Sequence, residues 1–229
     1  MICLMRTWKP TSNDLLLSAI VAVALPFLAR FLYMRTGALI PMLIYYGLAW
    51  GISKWRRGST GYFHNIPRKI PVSFALNVGL IGIALALAYF ARIETSPDNV
   101  AGVVLTGVFW ATINAASEQM LWIYIFEAWD LRRAPTKKGK WLNRAIGLIL
   151  FSGFVGMIHA LFWVEFLHTV DSSLTVGVLF VVLTTATGYV HLVVWRKSNH
   201  MIFTFIPHFL LNLIPLFWTG YSIVPYLMQ

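Results

Sequence analysis

Long apolar runs separated by short charged loops set the pattern of this chain. The runs are Leu15–Met34 (with Arg30 near one end), Thr36–Ser53, Ile70–Ala91, Asn99–Glu127, Ala145–Val164, Ser172–Trp195 and His200–Trp218. A bilayer-crossing helix needs roughly 20 apolar residues, because about 30 Å of hydrocarbon is covered at about 1.5 Å per residue. The pattern predicts an all-α fold: a polytopic integral membrane bundle of about seven transmembrane helices, one domain over residues 1–229. The first run is too long for the apolar part of a cleaved signal peptide and is expected to stay as an anchor. The uncharged stretch from Ser198 to Gln229 exceeds one span, so its tail is expected to bend back.

Composition agrees. Hydrophobic residues make up 59% of the chain and charged residues 11%, against about 25% charged in soluble domains. Mean hydropathy is +0.72. The net charge of +10 raises nucleic acid as a partner, and its distribution argues against it. With the N-terminus inside, 15 of the 18 basic residues fall in cytoplasmic segments, and only Arg30, Arg35 and Arg92 fall outside. That alternation is the positive-inside pattern, so the basic loops read as topology signals in contact with the lipid bilayer. No nucleic-acid face with interleaved aromatics is present. Cys3 stands alone and excludes an internal disulfide framework or a cysteine-rich zinc site.

Ionisable residues inside a membrane cost about 2.5–3.5 kcal/mol each on insertion scales and mark function by default. Glu127, three residues from Asp130, can snorkel to the headgroups. Glu165 and His168 can do the same at the outer end. His191, close to Trp195 and Arg196, is expected to be half-solvated. Glu118, His159 and His208 differ, because each falls in the middle of a separate span. Asn114 and Glu118 share a helix face through their spacing of four, as do His208 and Asn212. Lipid supplies no polar partners, so the three ionisable groups are expected to meet across one wet cavity.

Such a cavity suits hydrolysis. A carboxylate and an imidazole can activate water, and an imidazole with a carboxamide can donate to an oxyanion. Glu118 with two histidines also matches a catalytic zinc ligand set, although HExxH spacing is absent. A GxSxG serine elbow is absent as well.

These residues resemble the CPBP intramembrane endopeptidases, which include CAAX-processing proteases and bacteriocin-linked Abi proteins. The family pattern runs EExxxR, FxxxH, HxxxN over successive spans. Here the segments read "SEQMLWIY", "SGFVGMIHALFW" and "HFLLN". His208 and Asn212 match the third motif fully. His159 keeps the second motif's histidine, with Val155 in place of phenylalanine. The first motif keeps Glu118 but has Gln119 at the second glutamate and Ile123 at the arginine, so both members of a supporting ion pair are lost together. The likeness covers residues 111–215 as a catalytic core; the first three spans add only topology.

The resemblance implies a glutamate-type endopeptidase of a prokaryotic plasma membrane, acting on a membrane-associated protein or peptide with no metal or other cofactor. Glu118 would be the base, His159 its water-orienting partner, and His208 with Asn212 the oxyanion donors. Two other readings stay open. One is a degenerate relative serving as an immunity, scaffold or chaperone-like protein. The other is a transporter in which Glu118 carries protons.

Overall fold

The computed structural model describes residues 8–94 and 100–228. Seven long helices run through them: α1 (Ser12–Thr36), α2 (Leu39–Arg57), α3 (Val72–Phe90), α4 (Val100–Asp130), α5 (Lys137–Leu161), α6 (Thr175–Ser198) and α7 (Ile202–Thr219). Cys3, and Asn99 where the fourth apolar run begins, lie outside the described residues. Six of the seven helices are long and apolar enough to cross a membrane. The exception is α2, whose last turn carries Lys54, Arg56 and Arg57. The protein is an all-α integral membrane bundle.

Helix α4 is its axis. Twelve successive residues, from Ser117 to Ala128, are buried all round, the mark of a helix with neighbours on every side. Those neighbours are α1, α2, α5 and α7, while α3 packs against α6 and α7. Close approach of α5 depends on Gly147, where a Cβ would sit 2.9 Å from the Phe126 carbonyl oxygen. Above the buried run, Thr106–Ala111 forms a π-helical turn. One extra residue in a turn rotates the following side chains by about 100° relative to an unbroken α-helix. Thr106 anchors the turn: its hydroxyl donates to Gly102 O at 2.7 Å and accepts the Ile223 amide at 2.9 Å.

Carboxylate–arginine pairs tie the helix ends at the basic end of the bundle. Asp14 meets Arg56 at 2.8 Å, Glu127 meets Arg57 at 3.2 Å, and Asp130 meets Arg144 at 2.6 Å and Arg196 at 2.9 Å. Arg132 donates to Pro10 O and Ser12 Oγ. Much of the basic charge in these loops therefore holds the fold together as well as marking its topology. Glu127 does not snorkel. Its carboxylate is buried beneath α2 and α6, where it also accepts from Trp195 Nε1 at 2.9 Å.

At the opposite end the chain folds back after Gly220, as its length predicts. The carbonyls of Tyr226 and Leu227 accept the amides of Ala38 and Leu39, satisfying donors at the start of α2 that have no partner within the helix. The tail comes so close to Gly37 (φ 74°) that a Cβ there would meet Leu227 O at 2.7 Å.

Candidate functional site

Glu118 lies at the start of the buried run of α4, with 1% of its surface exposed. Each carboxylate oxygen faces two donors. Oε1 accepts from Trp163 Nε1 at 2.9 Å and Tyr45 OH at 3.2 Å. Oε2 accepts from Asn114 Nδ2 at 3.3 Å and lies 3.4 Å from His208 Nε2. Four elements converge here: α2 through Tyr45, α4 through Asn114, the turn Trp163–Glu165 after α5, and α7 through His208. A buried carboxylate without such partners would cost several kcal/mol, and hydrogen bonds to a charged group return about 1.5–3 kcal/mol each.

A second layer fixes these donors. Tyr46 OH donates to Asn114 Oδ1 at 3.0 Å, which turns the amide so that Nδ2 faces Glu118. Trp122 Nε1 donates to Tyr45 OH at 3.2 Å, leaving that hydroxyl proton for Glu118. Gln119 Nε2 donates to Thr204 O at 3.0 Å and lies 2.6 Å from His208 Nδ1. A carbonyl can only accept, so the atom facing it is the amide nitrogen, and His208 Nδ1 must then be the unprotonated acceptor. The imidazole proton stays on Nε2, aimed at Glu118. Pro207, one residue before His208, has no amide proton to give to Phe203, so the ladder of α7 is interrupted beside the Thr204 carbonyl.

His208 is also held by ring contacts. Trp122 stacks on it with centroids 5.7 Å apart, and His191 stacks at 5.9 Å. His191 is 2% exposed and meets the Asn77 amide at 2.8 Å through Nδ1. This corrects the expectation that His191 is half-solvated. It also corrects the view that the first three spans contribute topology alone, since α2 supplies Tyr45 and Tyr46 and α3 supplies Asn77.

The four sequence candidates come together in part. Glu118 and His208 are in contact. Asn212 sits one turn beyond His208, and its Nδ2 is buried without a hydrogen-bond partner among the described residues. His159 is an exposed residue of α5 whose Nδ1 meets Val155 O at 2.7 Å. Its ring is 6.2 Å from that of Trp122, which therefore touches both histidines. Among the described residues, no three of His, Cys, Asp and Glu gather closely enough to hold a metal ion.

Sequence reasoning passed over Tyr45, Trp122, Trp163, Asn77 and His191 as site residues. Asn77 carried a usable signal, a lone carboxamide inside an apolar run. The aromatic residues carried none, because tyrosine and tryptophan are ordinary in such spans. No known family model, curated protein or solved structure matches this chain.

Proposed function

We propose that the Glu118 centre is the hydrolytic site of a glutamate-type intramembrane endopeptidase that cleaves a membrane-associated protein or peptide. One observation carries the reading. Glu118 and His208, ninety positions apart on two helices, meet at mid-span with the His208 proton directed at the carboxylate. The motif resemblance over the same residues points the same way.

In this reading water enters at Oε2, where the two donors are longest. Glu118 takes a proton as the hydroxide oxygen adds to the peptide carbonyl carbon. The developing oxyanion draws the Nε2–H of His208 and the unpaired Nδ2–H of Asn212. Collapse breaks the C–N bond, and the proton held by Glu118 passes to the departing amine. His159, anchored through Nδ1, offers Nε2 as an acceptor that orients water from the exposed side of α5.

A second reading has its own support. The carboxylate is already matched by four protein donors, and His159 is not hydrogen-bonded to it. A degenerate, non-catalytic scaffold would use Glu118 in this way, to join α2, α4 and α7. Proteolysis of candidate membrane substrates by wild type and Glu118→Gln, compared at equal folded protein, separates the two. Loss of cleavage with the fold retained supports the enzyme. Loss of the fold in Glu118→Gln, with no cleavage by wild type, supports the scaffold.

A further inference from the structure

The basic side chains where α4 turns into α5 fall into two groups. Arg132, Arg144 and Arg196 are held by Pro10, Ser12 and Asp130. Arg133, Lys137 and Lys140 are exposed and make no side-chain hydrogen bond or ion pair among the described residues. They line two adjoining cavities that share Lys140. The larger, about 660 Å³, includes Arg133; the smaller, about 210 Å³, is formed by Lys137, Lys140, Trp141 and Arg144.

The smaller cavity is one helix face. Its four residues are spaced i, i+3, i+4 and i+7 on α5. Trp141 is 68% exposed, and the Arg144 guanidinium lies 5.3 Å from its ring centre. The stripe continues through Ala145 to Ile149, which is 70% exposed, so a cationic rim passes directly into an apolar track. Depth agrees with this. The 25 residues of α5 span about 37 Å, against about 30 Å of hydrocarbon, which leaves its first turns among the headgroups where tryptophan concentrates.

We propose that this face binds an anionic phospholipid from the leaflet at the basic end. Its phosphodiester sits between Lys137 and Lys140, its glycerol against Trp141, and an acyl chain along Ala145 and Ile149. The apolar track favours a lipid over a free anion. Charge favours an anionic lipid over a zwitterionic one, because among the described residues the only carboxylate lining either cavity, Asp130, is already held by two arginines.

The test uses the full chain in neutral detergent, with its unfolding midpoint followed as phosphatidylglycerol or phosphatidylcholine is added. Phosphatidylglycerol should raise the midpoint more than phosphatidylcholine does. Lys137→Gln/Lys140→Gln should remove most of that difference, and Trp141→Ala should weaken it. Arg68→Gln/Lys69→Gln, which removes equal charge from the loop between α2 and α3, should preserve it. Equal loss in both double variants would overturn the proposal in favour of diffuse charge attraction. An equal rise with soluble glycerol phosphate would overturn it in favour of a free-anion site.

Discussion

Gln119 Nε2 lies 2.6 Å from His208 Nδ1, and this contact decides which nitrogen of the histidine carries the proton. Gln119, held on its other side by Thr204 O, thus orients the His208 ring. Gln119→Met keeps the volume and removes the donor, leaving Thr204 O and His208 Nδ1 each short of a partner. Thermal unfolding in detergent should show a loss of about 1–3 kcal/mol. Cleavage should fall as well, because His208 is then free to adopt the tautomer that presents a lone pair to Glu118. A variant with wild-type stability and activity would remove Gln119 from the site.

Asn212 is predicted to act through its amide. Asn212→Asp preserves shape but replaces a donor by an acceptor, so it should cost about as much as Asn212→Ala, roughly 10²–10³ in rate. Rate measurements on the two variants check this. An Asp variant as active as wild type would make the residue a packing group.

The buried pair at the basic end is open to a double-mutant cycle. Arg57 and Glu127 are 7% and 1% exposed at the side chain and 3.2 Å apart. Removing one partner, in Arg57→Met or Glu127→Gln, should destabilise by about 3–5 kcal/mol because the other charge is left buried. The double variant should be clearly more stable than the sum of the two predicts. Simple additivity in the unfolding free energies would show that the pair is not coupled.

Acid should loosen the junction between α6 and α7. Burial, and next the neighbouring His64, hold the His200 imidazole below its ordinary value. His200 Nδ1 accepts the Ile202 amide at 3.2 Å, a role only the neutral ring can fill. With the folded value depressed, the unfolded state binds more protons as pH falls below about 6.5, so this stabilisation is full above that pH and declines beneath it. Unfolding midpoints from pH 7.5 to pH 5 should fall in wild type and fall less in His200→Asn.

Seven helices were legible because each run approaches the length that hydrocarbon demands, and a run of that length has few other folds open to it. Glu118 and His208 were legible because isolated ionisable groups stand out against apolar neighbours. Burial was not. Glu127 and His191 lie near charges along the sequence, yet α4 is enclosed on every side and α6 turns His191 inward, so short sequence distance to a loop gave no access to water. The π-helical turn at Thr106–Ala111 had no sequence signal either, since it depends on contacts such as that between Thr106 and Ile223. Two of the four donors to Glu118, Tyr45 and Trp163, are aromatic residues whose hydroxyl and indole groups become informative only once α2, α4 and the turn after α5 are brought together.

Glu118→Gln is the most direct test of the central claim. Glutamine keeps the size of the side chain and can still accept from Trp163 and Tyr45, but it cannot take a proton from water. Wild type and variant should be purified in parallel, reconstituted at equal protein, checked for matching unfolding midpoints and assayed on the same membrane-associated peptide with a chelator present. Glutamate as general base predicts cleavage by wild type and a loss of about 10²–10⁴ in rate in the variant. Cleavage by Glu118→Gln at the wild-type rate would contradict it.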